Sequence, residues 1–162
     1  MTARHWPDLT TQGEYIVMKY QTTCACALLL VAYAAHAQQQ RGGTWKAVAG
    51  EVRVSQGLTQ RAAEVGGGVQ QADHIVTGRD ASATFVLKDG TVVSVGPNAT
   101  LDLAKVQFDS TTQNGNLALS LMHGTVRIVT GWLGKVHPEQ VKVFTPTSVV
   151  GVRGTDFVVE VP

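Results

Sequence analysis

Residues 81–95 read ASATFVLKDGTVVSV, and the alternation in this stretch sets the expectation for the whole fold. Ala81, Ala83, Phe85 and Leu87 fall on one face, and Ser82, Thr84, Val86 and Lys88 on the other. A period of two over this length marks a half-buried strand. Asp89-Gly90 follows at once, and Asp-Gly between two such runs is a strong hairpin signal because both turn positions need a left-handed backbone. Thr91–Val95 supplies the return strand.

Working outward, the same pattern recurs. Upstream, Trp45–Ser55 sets Val52 and Val54 against Glu51, Arg53 and Ser55, Asp73–Thr77 is a short strand ended by Gly78, and Gln56–Gln71, with Gly66-Gly67-Gly68, reads as loop. Downstream, Gly96-Pro97-Asn98 is a turn, Leu101 and Leu103 oppose Asp102, and Val106 and Phe108 carry the strand to Asp109. Ser110–Asn116 is a polar loop. Leu117, Leu119 and Leu121 alternate with Ala118 and Ser120, His123-Gly124 reads as a turn, and Thr125–Thr130 returns. Gly131–Gln140 is irregular, and Val141 and Val143 flank Lys142. Helical periodicity over ten residues is missing after residue 38. The expectation is an all-β fold: one compact domain of short strands, a β-solenoid or a sandwich, preceded by a signal-peptide helix. Its expected core is Phe85, Leu87, Val93, Val95, Leu101, Leu103, Leu119, Leu121, Val126, Ile128, Val143, Phe157 and Val159. A faint repeat aligns Leu87–Val95 with Leu121–Val129, sharing Leu, Gly, Thr and Val positions. It suits either a duplicated solenoid unit or two hairpins written alike.

The last element, Phe144–Val159 (FTPTSVVGVRGTDFVV), joins a Thr-Pro corner to β-branched residues, a lone arginine and an apolar tail. Pro146 lacks an N–H and belongs at a strand edge or corner. Gly151 and Gly154 interrupt the run, so two short strands joined at Arg153 are expected.

The chain has 162 residues and a net charge of +1. It carries no basic run, so nucleic-acid binding has no support. Its N-terminal part reads as an export signal. Met18-Lys19 opens a positive region, Cys24–Ala34 (CACALLLVAYA) is apolar but short of the roughly 20 residues that span a bilayer, and Ala35-His36-Ala37 is a small-x-small cleavage site. Residues 18–37 are therefore expected to be a signal peptide cleaved after Ala37. Codons for Gln12-Gly13-Glu14 can spell a ribosome-binding sequence three codons ahead of Met18, so residues 1–17 read as an upstream extension. Residues 38–49 are expected to be a flexible lead-in and residues 50–162 the β domain. Both cysteines, Cys24 and Cys26, fall in the signal. The mature chain would have no disulfide or thiolate chemistry, which fits a Gram-negative periplasm.

The order of motifs resembles the FecR-type periplasmic domain. The resemblance is carried by Asp73-His-Ile-Val-Thr-Gly78, Ala83-Thr-Phe-Val-Leu-Lys-Asp-Gly-Thr91, Gly96-Pro-Asn-Ala-Thr-Leu101, Leu119-Ser-Leu-Met-His-Gly-Thr-Val-Arg127, Val143-Phe-Thr-Pro-Thr147 and Val152-Arg-Gly-Thr-Asp-Phe-Val158. It spans roughly Gly50 to Val161. It implies an all-β periplasmic domain engaged in protein contacts or envelope sensing. The best-known members pass a signal from an outer-membrane iron-siderophore receptor to a cytoplasmic sigma factor. Here a cytoplasmic helical segment and a retained span are not expected, so sigma-factor regulation is not carried over. The signature residues that the resemblance marks for interaction are Thr145, Pro146, Val152, Arg153, Gly154, Thr155 and Phe157.

Catalytic chemistry is not expected. His74, His123 and His137 lack metal-ligand spacing, Ser94 and Ser148 lack a nucleophile elbow, and Gly66-Gly67-Gly68 lacks the lysine of a phosphate loop. The carboxylates Asp73, Asp80, Asp89, Asp102, Asp109 and Asp156 mostly stand beside glycine or at strand ends, where they serve turns and solubility. Arg153 suits a structural role, tying loop carbonyls or pairing with Asp156, or a contact to a carboxylate on a partner. Trp45 and Trp132 suit core caps or a stacking surface. The expectation is a non-catalytic exported module, free of cofactor and metal, for protein interaction or envelope signal relay. Its partner would be an envelope protein bound by strand addition. The alternative is a glycan- or peptidoglycan-binding accessory resting on Trp45, Trp132 and Arg153.

Overall fold

The computed structural model describes residues 41–152 and 156–162. Residues 1–17, the expected signal over 18–37 with Ala35 and Ala37, and Arg153, Gly154 and Thr155 lie outside the described residues.

The described chain is mostly strand: β1 Gly43–Ala49, β2 Val52–Gln56, β3 Thr59–Ala62, β4 Gly68–Val69, β5 His74–Thr77, β6 Ser82–Leu87, β7 Val92–Val95, β8 Thr100–Phe108, β9 Gly115–Val129, β10 Val141–Phe144, β11 Val149–Gly151 and β12 Asp156–Val161. One short helix, α1 Trp132–Val136, and a 3-10 turn, Pro138–Gln140, follow β9. All twelve strands join one curled sheet in the order β3-β2-β5-β8-β9-β7-β6-β1-β4, with β10 and β12 added on β9 and β11 on β10.

The register explains the curl. Consecutive strands run on from one another as long strands bent in the middle. β1 pairs with β6 while β2 pairs with β5. β6 pairs with β7 while β5 pairs with β8. β7 and β8 both pair with β9, which is unbroken over 15 residues. Each bend holds a glycine: Gly50, Gly78, Gly96 and Gly124. Gly50 (φ +71) and Gly124 (φ +89) adopt left-handed backbone, where a side chain is strained. These glycines line up as a crease. Gly78 N–H donates to Glu51 O (2.9 Å), Asn98 N–H to Gly78 O (3.0 Å) and Gly96 N–H to Thr125 O (2.9 Å). The buried Thr77 hydroxyl stitches the same line, donating to Gly96 O (2.7 Å) and accepting from Ala99 N–H (2.8 Å).

Folding along this crease brings the apolar faces of both halves into one cluster. Trp45, Phe85, Val93 and Ile128 come from one half, and Val54, Ile75, Leu101, Leu119 and Val143 from the other. Trp45 and Phe85 meet edge to face with ring centroids 5.0 Å apart, a favoured aromatic geometry. Twelve of the thirteen expected core residues are buried, and Phe157 is half-buried against the cluster. A solenoid would stack its strands in parallel. Among the described pairs only β10–β9 is parallel, so the folded antiparallel sheet is the sandwich-like outcome.

Five expectations need correction. Gly131–Gln140, expected to be irregular, holds α1 and the 3-10 turn, with Leu133 buried in the core. His123-Gly124 is not a chain reversal: β9 runs through it. Thr100 lies opposite His123 and Leu101 opposite Leu121, so one extra residue shifts the buried set from odd (Leu117, Leu119, Leu121) to even (Val126, Ile128) positions, as a bulge does. The two aligned repeat segments therefore fold differently, and what their glycines share is positive φ (Gly90 +83, Gly124 +89). Trp45–Ser55 is two strands, broken at Gly50. Within the expected lead-in over 38–49, β1 begins at Gly43 and buries Trp45. Within the expected loop over 56–71, β3 and β4 pair with β2 and β1. Their polar and glycine-rich sequence hides strands that sit at the rim of the sheet, where little side-chain burial is required.

Candidate protein-interaction edge

The C-terminal signature segment builds one side of the sheet. β10 lies parallel to the first half of β9, and β11 folds back on β10. Their turn is closed by Thr145, whose N–H donates to Ser148 O (2.9 Å) and whose hydroxyl accepts from Ser148 N–H (3.0 Å). Pro146 sits exposed at that turn, where its missing N–H is no loss. Val152 is buried and joins the core. β12 then runs antiparallel to the second half of β9. Of the signature residues, Thr145 and Pro146 form the turn, Val152 anchors the segment, and Phe157 lines the edge strand.

The carboxylate of Asp156 is taken by Arg127 of β9. The Arg127 Nε and Nη2 donate to Asp156 Oδ1 (2.9 Å) and Oδ2 (2.5 Å). This two-pronged contact holds the Asp156 carboxyl below its ordinary range and raises the Arg127 guanidinium above its own. Arg127 stands opposite Val158, one diagonal step from Asp156, a cross-strand neighbour relation that sequence spacing does not reveal.

Beyond β12 no further strand is paired among the described residues. Among the described residues, its backbone makes no hydrogen bond to other backbone outside the pairing with β9. Val158 is 59% exposed, Asp156 and Glu160 are exposed, and Phe157 and Val161 are half-buried. β11 is another short open edge, with Val149 exposed.

The remaining candidates divide between structure and surface. Trp45 is buried, so it cannot share a stacking surface with the exposed Trp132. Asp89 serves its turn: its carboxylate accepts from Thr91 N–H (3.0 Å) and the Thr91 hydroxyl (2.6 Å). That hydroxyl accepts in turn from Gly131 N–H (3.0 Å), and Trp132 N–H donates to Asp89 O (2.8 Å). The Lys-Asp-Gly-Thr hairpin is thereby locked onto the start of α1. Asp73 is fully buried and accepts from Arg61 of β3 (2.7 Å) and from Gln70 N–H (2.8 Å). His74 Nδ1 and Asp102 Oδ1 are hydrogen-bonded across β5 and β8 on the outer face. Among the described residues, no three His, Cys, Asp or Glu side chains gather as metal ligands.

At the end away from the crease lies an open groove of about 840 Å³, lined by Arg41, Lys88, Gln107, Asp109, Asn114 and Asn116 over Leu87, Leu117 and Leu133. The Asp109 carboxyl on its rim is held below its ordinary range by the backbone N–H groups of Thr111 and Thr112.

Residues 73–161, more than half of the chain, match the family described as FecR protein. No curated protein and no solved structure matches. The matched span runs from β5 to the end of β12 and so includes three of the four crease glycines (Gly78, Gly96 and Gly124), the Asp89–Thr91 lock and the C-terminal edge. The chain is a member of the FecR family, a regulatory domain family associated with signal transduction.

Proposed function

We propose that the chain is an exported, non-catalytic FecR-domain protein that works in the periplasm as an interaction or signal-relay module. The observation that carries this reading is the open C-terminal edge. Inside the family-matched span, a six-residue strand exposes one side of its backbone and an apolar residue, Val158. Unpaired strand edges recruit a partner strand through main-chain hydrogen bonds. The Met18–Ala37 signal reading supports export, and among the described residues no helix is long and apolar enough to cross a membrane.

Cell fractionation with intact mass is the test of location. A periplasmic species beginning at Gln38 is expected, and a membrane-bound species retaining residues 18–37 would overturn it. A pulldown from envelope extract tests the role, with a discrete protein partner as the expected result.

A second reading, binding of cell-wall glycan, is favoured by the groove, whose amides and Arg41 over an apolar floor suit sugar hydroxyls and rings. Retention on isolated cell wall, abolished by Asn116→Ala, would favour this reading over the first.

A further inference from the structure

We propose that, within the protein-binding role argued above, the outer edge of β12 is the docking strand, and that it takes an extended segment apolar on one face and basic on the other. The open edges are unequal. β3 has four residues, and its Arg61 turns inward to Asp73. β4 has two residues, and the Arg41 side chain lies against Gly68. β11 has three. β12 has six, enough for a ladder of several hydrogen bonds.

The two faces of β12 specify what can lie beside it. On the core face, Val159 is buried while Phe157 and Val161 remain half-exposed at the rim. A neighbouring strand with apolar residues on that face would complete their burial. On the outer face stand Asp156, Val158 and Glu160. The charge of Asp156 is answered by Arg127. Glu160 has no ion pair or side-chain hydrogen bond among the described residues, so the edge presents one uncompensated negative charge beside an exposed valine. A second copy is a poor occupant. The antiparallel register that sets Val158 against Val158 also sets Asp156 against Glu160, and like charges directly opposite are destabilising. A lysine or arginine opposite Glu160 is the matching choice.

The test uses the full chain and two blocked peptides, one alternating lysine with valine and one alternating glutamate with valine, at low ionic strength. Affinity is read by fluorescence anisotropy, and the docking site by amide hydrogen exchange. The lysine–valine peptide is expected to bind and to slow exchange along Asp156–Val161. Glu160→Lys, on an exposed position that leaves the core untouched, should weaken that binding about three- to ten-fold, the size of exchanging an exposed ion pair for a like-charge pair. The same variant should gain binding of the glutamate–valine peptide. Absence of binding, protection on β3 or β11 instead, or indifference to Glu160→Lys would overturn the proposal. If the chain captures an envelope protein and β12 stays unprotected in that complex, the edge assignment fails while the protein-binding role stands. If β12 takes the peptide as described and the envelope yields no partner, the edge assignment holds and the relay role fails.

Discussion

Gly124 of β9 packs so closely on Ala99 that a Cβ at Gly124 would lie 2.6 Å from the Ala99 Cα. The same residue holds a φ of +89. Two independent costs therefore fall on any side chain there, left-handed backbone and collision with main chain. Gly124→Ala should destabilise the domain by about 2–4 kcal/mol. Gly90→Ala isolates the first cost, because Gly90 has φ +83 and open space around it. It should lose only about 1–2 kcal/mol. Urea denaturation midpoints of the two variants check the crease directly: equal losses would show that close packing at Ala99 does not matter.

Thr91 joins the β6–β7 turn to the segment after β9 through one hydroxyl, which donates to Asp89 and accepts from Gly131 N–H. Thr91→Val keeps the shape and removes both bonds, leaving a buried donor and a carboxylate oxygen without that partner. A loss of about 1–3 kcal/mol is expected, together with faster amide exchange at Gly131. Thr91→Ser retains the hydroxyl and should recover most of the protection.

The Arg127–Asp156 contact makes stability depend on pH. The Asp156 carboxyl is lowered in the folded state from its ordinary value of 3.8, so the unfolded chain binds the proton first. The contribution is complete above 3.8 and is lost as pH falls through the lowered folded value. Because the pair is exposed, salt should weaken it. Asp156→Asn should flatten this part of the pH profile of the melting midpoint, lowering the midpoint near neutrality by the same small amount that the wild type loses on acidification.

Phe85 is fully buried against Trp45, whereas Phe157 is half-buried at the edge. Phe85→Ala should cost about 3–5 kcal/mol. Phe157→Ala should cost about 1–2 kcal/mol, in line with partial burial. Denaturation of the two variants side by side checks the assignment. A larger loss at Phe157 would mean that β12 is more deeply enclosed than its edge position allows.

The sequence by itself determined the all-β class, most of the strand positions from residue 73 onward and most of the core. Alternation with period two decides which side chains face inward, and that pattern is local: Phe85 and Leu87, or Leu101 and Leu103, declare their face from two or four neighbours. It also marked the Asp89-Gly90 turn, although of the pair only Gly90 takes left-handed backbone (φ +83), while Asp89 serves the turn through its carboxylate on Thr91. Tertiary structure decided whether a glycine ends a strand or bends it. Gly90 and Gly124 share a backbone conformation and a following threonine, yet one lies in a reversal and the other inside β9, because Gly124 has β8 and Ala99 alongside it. It likewise decided the rim strands β3 and β4, held by partners from β2 and β1 rather than by their own polar sequence. The partner of Asp156 was decided in the same way. Arg127 is 29 residues away along the chain, and only the register of β12 on β9 brings the two charges together.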